Sequence, residues 1–259
     1  VRLATWNVNS LKARLPRVED WLATVEPDVL CLQETKLADT AFPAMALRSL
    51  GYESAHHGEG RWNGVAVLSR VGVQDVTLGL GADHELDREA RMVSAVCAGV
   101  RVASVYVPNG RSLDDDHYTY KLAWLDALRT WVAARLDEPL VVAGDYNIAP
   151  DDRDVWDPAS FEGATHVSPA ERRRFQALIE LGLVDVFRRH YEAPGLFSWW
   201  DYRAGNFHKG RGMRIDHVLA SSDLAERTTA VLIDRNARKG KSPSDHAPVV
   251  VDIAGPASP

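Results

Sequence analysis

Polar residues gather where the apolar runs of this chain stop. Asn7 and Asn9 follow Arg2–Trp6, Glu34 closes Val29-Leu30-Cys31-Leu32-Gln33, and Asp145 and Asn147 end Leu140-Val141-Val142-Ala143-Gly144. Asp216 stands at the start of Ile215–Ala220, and Asp245-His246 precede the final run, Pro248–Ile253. Taken singly, an Asp or Asn after a strand is ordinarily a turn former, and His246 alone reads as a surface histidine. Glu34 fits that reading less well, because Glu has no special turn role and its run is otherwise apolar. If the two runs that begin with acids lie antiparallel to the three that end with them, all these groups share one edge. Carboxylates crowded there repel unless a cation sits among them. An all-oxygen, Asn-assisted set suits a hard cation, Mg2+ with Mn2+ as a substitute. Zinc chemistry is disfavoured by the lack of Cys-x-x-Cys and His-Glu-x-x-His. Neither a Gly-rich triphosphate loop nor a Gly-x-Ser-x-Gly elbow occurs.

The elements that must position these groups are short and regular. Arg2–Trp6, Val29–Leu32, Val65–Leu68, Val93–Cys97, Val102–Val107, Leu140–Ala143, Ile215–Ala220 and Pro248–Ile253 read as strands, β-branched and bounded by turn residues. A helix is expected from Pro16 to Val25, with Pro in its first turn and Val18, Trp21, Leu22 and Val25 on its apolar face. A second covers about Tyr118 to Leu136. A third begins at Ser168-Pro169-Ala170-Glu171, a capping box. Many strands with few helices predict a four-layered α/β sandwich: two mixed, largely antiparallel sheets face to face with helices outside. Residues 1–254 form one domain on this reading, with a disordered tail over 255–259.

The motifs, in order, resemble those of the exonuclease III family of apurinic/apyrimidinic (AP) endonucleases, within the endonuclease/exonuclease/phosphatase superfamily. They are Thr5-Trp6-Asn7-Val8-Asn9, Leu32-Gln33-Glu34-Thr35-Lys36, Tyr106-Val107-Pro108-Asn109-Gly110, Gly144-Asp145-Tyr146-Asn147, Arg214-Ile215-Asp216 and Ser244-Asp245-His246-Ala247-Pro248. The resemblance runs from Arg2 to about Ile253. Thr35-Lys36 after Glu34, Tyr106-Val107-Pro108-Asn109, and the aromatic segment Phe197-Ser198-Trp199-Trp200 favour the repair branch over pancreatic-type nucleases.

What the resemblance implies is a phosphodiester hydrolase. Glu34 would be the direct metal ligand, with Asn9 and Asp245 nearby. Asp145 would activate or align the attacking water, and Asn7 and Asn147 would orient water and carboxylates. His246 would contact the phosphate, held by Asp216, while Tyr106 and Asn109 would also reach the phosphate and Tyr106 would supply a proton to the leaving oxygen. The implied substrate is double-stranded DNA carrying abasic sites or 3′-blocked nicks, in base excision repair; a monomer is expected because the sequence shows no exposed apolar stripe or zipper. The sequence leaves two alternatives: the same machinery on an inositol phosphate or lipid head group, and a DNA-binding module without catalysis.

Basic residues cluster before two of the motifs. Arg203, His208, Lys209, Arg211 and Arg214 precede Asp216, and Arg235, Arg238, Lys239 and Lys241 precede Asp245. Of these, Lys209, Arg211 and Arg214, together with Arg111, are expected to touch phosphates, contacts that carry no base information. Trp199 is expected to wall a pocket for the extruded abasic sugar, with Met213 where some relatives place a pocket tryptophan. His166 stands where strong AP endonucleases often have Gly or another small residue. A bulky group there would favour 3′ ends over a continuing strand.

Composition sets outer bounds on these readings. The chain has 259 residues, 46% hydrophobic and 25% charged, with a net charge of −6. That charge excludes a protein coating nucleic acid by bulk positive charge, though not a nuclease with a local basic surface. Cys31 and Cys97 lie inside apolar runs and read as reduced core residues, pointing to the cytoplasm. No apolar stretch is long enough for a membrane helix, and the chain opens on a strand rather than a leader.

Overall fold

The computed structural model describes residues 1–81 and 84–255, so the expected tail beyond Gly255 lies outside the described residues. Twelve strands are found among them: β1 Arg2–Asn7, β2 Val29–Gln33, β3 Glu53–His57, β4 Val65–Ser69, β5 Gln74–Leu78, β6 Met92–Cys97, β7 Val100–Tyr106, β8 Leu140–Asp145, β9 Leu183–Asp185, β10 Asp216–Ser221, β11 Thr228–Ile233 and β12 Val249–Ile253. The helices are α1 Leu11–Val25, α2 Ala44–Ser49, α3 Asp116–Ala133, α4 Pro169–Glu180, α5 Val186–His190, α6 Asn206–Lys209 and α7 Ser222–Glu226. The strands form two six-stranded sheets, in the orders β11-β12-β1-β2-β4-β3 and β5-β6-β7-β8-β10-β9.

Each sheet has a parallel pair at its centre, β1 with β2 and β7 with β8, and antiparallel neighbours around it. Side chains alternate across a strand, so each strand divides its residues between two cores. Leu3, Val29, Cys31, Val67, Val102, Val141, Ala143 and Val218 meet between the sheets. Ala4, Trp6, Leu30 and Leu32 face outward onto Val18, Trp21 and Leu22 of α1. Ala103, Val105, Val142 and Leu219 face the other way, onto Trp124, Leu128 and Trp131 of α3 and Phe175 and Leu178 of α4. This is the expected four-layered sandwich.

Helix boundaries match expectation unevenly. Ser168 caps α4 by accepting from the Glu171 amide and Glu171 returns the bond, with Pro169 in the first turn, as the capping box requires. The first helix begins earlier than expected. Ser10 caps it, Leu11 opens it, and Pro16 lies inside, exposed, where it denies the Lys12 carbonyl its usual N–H partner. Helix α3 starts two residues before Tyr118 and ends at Ala133, short of Leu136.

The inter-sheet face changes character along its length. Above the apolar layer, Thr5, Gln33 and Ser104 form a buried polar layer. Gln33 Nε2 donates to both hydroxyls at 3.0 Å, and Ser104 Oγ donates to the Leu32 carbonyl at 2.9 Å. One step further along the same face lie Asn7, Tyr106, Asp145 and Asp216. The site is the polar end of the core.

Candidate active site

Strand direction assembles the site. Strands β1, β2, β7 and β8 run toward one edge, while β10 and β12 run away from it. Residues that end the first four therefore meet residues that begin or precede the last two. Asp216 pairs across the ladder with Asp145, and Asp145 with Tyr106. Gly144 permits this approach: a Cβ there would lie 1.9 Å from the Val105 carbonyl oxygen. Asn9, Glu34 and Asn147, which follow the strand ends, take positive φ values of 44°, 52° and 51°. Non-glycine residues rarely sit there, and such strain persists where surrounding contacts fix the backbone.

Hydrogen bonds link the groups into a line. Asn7 Nδ2 donates to Glu34 Oε1 at 2.8 Å and to Asp145 Oδ2 at 2.9 Å. Asn147 N donates to Asp145 Oδ1 at 2.9 Å. His246 Nε2 faces Asp145 Oδ2 at 3.8 Å, and its Nδ1 lies 2.8 Å from Asp216 Oδ2. Ser198 Oγ donates to that same carboxylate oxygen at 2.6 Å and accepts from the Ile215 and Asp216 amides. Glu34, Asp145 and His246 each offer an atom within 4.8 Å of the others, a grouping able to hold a metal ion.

Burial sets the protonation of these groups. It works against a charge on His246, but Asp216 and Asp145 outweigh it and lift the imidazole to about 10. Burial also pushes the Asp145 carboxyl up to about 7, with Asp216 adding to the rise and His246 opposing it. The Tyr106 hydroxyl is held well above its usual range by burial and by Glu34. At neutral pH the site thus offers a charged His, a carboxyl poised near neutrality and a protonated phenol. The Glu34 and Asp145 carboxylates make an oxygen-rich pair, which fits a hard divalent cation.

Comparison with known proteins decides the family. Residues 4–246 match the family described as endonuclease/exonuclease/phosphatase. Exodeoxyribonuclease III of Haemophilus influenzae is 34% identical, over 96% of this chain and 98% of its own length. The chain belongs to this family, in its exonuclease III branch. Solved structures agree. The 3′ phosphatase NExo from Neisseria, bound to a product DNA hairpin, superposes with a TM-score of 0.95 at 41% identity, covering 98% of this chain and 99% of that one. An AP endonuclease from Archaeoglobus fulgidus gives a TM-score of 0.95 at 36% identity, covering 98% of this chain and all of that one.

Within this exonuclease III-branch chain, the remaining expected residues fall on both sides of the line. Asn9 Nδ2 donates to Asp245 Oδ1 at 3.0 Å, and Trp199 Nε1 donates to Asp245 Oδ2 at 3.1 Å. Asp245 therefore has both oxygens engaged and stands outside the Glu34–Asp145–His246 grouping. Trp199 is half-buried beside it, whereas Trp200 is core, packed with Phe197 and Ala247. Asn109 and Arg111 lie exposed after β7, and half-buried His166 joins Asn109 and Asn147. Lys209 and Arg211 are exposed, with the Arg211 guanidinium 4.8 Å from the centre of the Trp156 ring.

Two expectations need correction. Arg214 does not reach the surface: it is 1% exposed, and its guanidinium is bound by Asp154 at 2.6 and 3.1 Å and Asp185 at 2.9 Å. A phosphate would have to displace both carboxylates in the protein interior. Met213 is 2% exposed and packs in a small cluster with Ala149, Val155 and Ile215 beneath Trp199, so it supports that ring from behind.

Other residues that shape the geometry give little sign of it in sequence. Lys36 is there only part of a motif, yet its Nζ lies 2.8 Å from Glu34 Oε2 and donates to Asn9 Oδ1 at 2.7 Å. Its place two residues after Glu34 is the one available signal. Ser198 reads only as a spacer in an aromatic segment. Arg91, in a polar stretch with no motif, donates to the Tyr106 carbonyl at 3.2 Å and lies 4.8 Å from the centre of its ring.

Proposed function

We propose that this chain is a magnesium-dependent DNA-repair phosphoesterase that cuts 5′ to abasic sites and removes 3′-blocking groups and nucleotides. The observation that carries the reading is the line Glu34–Asn7–Asp145–His246–Asp216, built from the ends of both sheets. Glu34 would hold the cation beside Asp145, with manganese as a substitute; when bound, it would neutralise the non-bridging oxygens of the phosphate. Asp145, poised near 7, accepts a proton from the attacking water. Asn7 and Asn147 keep its two oxygens oriented. His246 presents a charged Nε2–H to a phosphate oxygen while Asp216 fixes the other ring nitrogen. Tyr106 keeps its proton and can deliver it to the departing 3′ oxygen.

Exposed Arg111, Lys209 and Arg211 would meet the DNA backbone, with Trp199, whose Nε1 donates to Asp245, as the wall beside an extruded sugar. The protein acts as a monomer on this reading. Free, buried Cys31 and Cys97 are consistent with a reducing cytoplasm. Among the described residues no helix is long and apolar enough to cross a membrane.

His166 favours the 3′-end reactions over abasic incision. Its ring lies 3.2 Å from both Asn109 Nδ2 and Asn147 Oδ1, where it would crowd a strand continuing past the phosphate. The Neisseria structures at 41% identity are described as a 3′ phosphatase and a 3′-5′ exonuclease, which supports the same preference. The test is cleavage of a duplex with one abasic-site analogue beside a nicked duplex with a 3′ phosphate, in magnesium and in chelator. Metal-dependent activity with the nick preferred is the expected result. Binding without cleavage of either would leave only a DNA-binding module. Because His166 has φ 79°, His166→Gly relieves strain as it opens the mouth. An unchanged ratio of incision to 3′ trimming in that variant would remove His166 from the explanation.

A further inference from the structure

Three loops far apart in sequence deliver Asn109, Asn147 and His166 to the mouth of the cleft. Their side chains form a triangle with 3.2 Å sides: Asn109 Nδ2 to Asn147 Oδ1, Asn109 Nδ2 to His166 Nε2, and His166 Nε2 to Asn147 Oδ1. Neither Asn147 nor His166 sits in relaxed backbone, with φ 51° and 79°. Loops of this kind hold their shape only if something beneath them does the holding.

Beneath them is Lys121, fully buried on α3. Its Nζ donates to the Asn109 carbonyl at 3.1 Å, the Asn147 carbonyl at 2.7 Å and Glu171 Oε1 at 2.5 Å. Glu171, equally buried on α4, also accepts from Thr165 Oγ1 at 2.7 Å and from the His166 amide at 3.0 Å, while its second oxygen accepts from the Ser168 amide. One turn before Lys121, His117 Nδ1 accepts from the Gly110 amide at 3.2 Å. The Asn109–Gly110 peptide is thus gripped at its carbonyl and at its N–H from one helix. All three loops converge on one ammonium–carboxylate pair.

A buried ion pair of this kind adds little net stability compared with well-packed apolar side chains. Its value here is geometric. We propose that Lys121 and Glu171 are positioning residues that set Asn109, Asn147 and His166 against the scissile phosphate. The proposal rests on the function given above, which supplies the phosphate these groups would face. Neither residue touches the phosphate itself; each acts through the loop backbones it fastens.

The test is Lys121→Met, which keeps an unbranched apolar stem and removes the three donors. Misplacement on the order of 1 Å costs about 100-fold in rate, so kcat on the 3′-phosphate nick should fall about 10- to 100-fold with KM changed less than about threefold. Arg174→Ala serves as the structural control. It unties α4 from Asp126 on α3 without reaching the loops, and should leave kcat per folded molecule unchanged. In Lys121→Met the side-chain amide NMR signals of Asn109 and Asn147 should move, a readout independent of turnover. A folded Lys121→Met protein with wild-type kcat and unmoved amide signals overturns the proposal. If that variant does not fold, Glu171→Gln, which keeps the volume and removes the charge, should show the same kcat-selective loss and the same signal shifts; the absence of both overturns it equally. A wild-type enzyme inactive on both DNAs would sink the functional reading instead, and the amide signals would then decide the positioning claim alone.

Discussion

Asp216 and His217 are neighbours on β10, yet each belongs to a different buried charged cluster. Asp216 points between the sheets to His246, where two carboxylates surround one imidazole and keep it charged up to about 10. His217 points to the helix side, where burial and the Arg214 guanidinium push its imidazole down to about 4. In the outward cluster both nitrogens of His217 and the Arg214 guanidinium are engaged. Arg214 binds Asp154, Asp185 and His217 Nδ1, and His217 Nε2 lies 2.8 Å from the Ile148 carbonyl. The cleft cluster differs, because His246 Nε2 has Asp145 only at 3.8 Å, beyond hydrogen-bonding distance. A buried network whose charges are paired among themselves fixes a fold; one with a charged donor left facing a cleft has something to give a ligand.

The sharpest way to break this comparison is to neutralise one member on each side. Asp145→Asn should cost about 1,000-fold or more in kcat/KM on the 3′-phosphate nick. It should not lower the thermal midpoint, since burial already disfavours the ionised carboxyl. Arg214→Met should do the reverse. Removing one partner of a buried ion network costs about 3–5 kcal/mol, read by urea unfolding, while activity per folded molecule stays within about threefold of wild type. An Arg214→Met protein of native stability with abolished DNA binding would restore the surface role that burial denies it.

Asp216→Asn probes the cleft cluster more gently, with an expected loss of about 100-fold and a lower His246 pKa. The pH dependence follows from the two histidines. His246 is lifted in the fold, so its stabilising contribution is present below its unfolded value near 6.5 and is lost as pH rises through about 10. His217 is depressed, so its contribution is present above about 6.5 and is lost as pH falls through about 4. Unfolding at pH 7 and 9.5 should therefore show Asp216→Asn flattening the alkaline limb, with the acid side also changed through Asp145, which Asp216 helps to raise. At pH 5 and 7, His217→Asn should flatten only the acid limb. A His217→Asn variant that altered the alkaline limb would mean the two clusters are coupled through β10.

The same strand explains what sequence could and could not reveal. All eight strands legible as apolar runs are interior to the sheets, and β3, β5, β9 and β11, which are not legible that way, are the four edges. Edge strands face water along one side and need no continuous apolar run; Glu53–His57 and Gln74–Leu78 are correspondingly polar or exposed, and β9 has three residues. The acids stand out because an apolar strand that ends in Glu34 or Asp145 is chemically odd. Arg214 misleads because its motif is contiguous in sequence, whereas strand alternation and the turn into β10 send its side chain into the interior. Lys121 leaves no trace at all: a lysine on an amphipathic helix reads as a solvated charge until Glu171, 50 residues on, is packed against it.

The smallest expected effect tests whether the exposed basic residues differ in kind from Arg214. Lys209 and Arg211 are exposed at the end of α6 and just after it, outside both clusters. Removing one phosphate-binding cation should lower the slope of log affinity against log salt by about 0.9. The double variant Lys209→Ala with Arg211→Ala should therefore bind DNA more weakly at low salt, with a shallower slope. It should keep its kcat, its thermal midpoint and its tolerance of sequence context, because phosphate contacts carry no base information. A slope unchanged in this variant would move the DNA track to the second basic group, around Arg235 and Lys239.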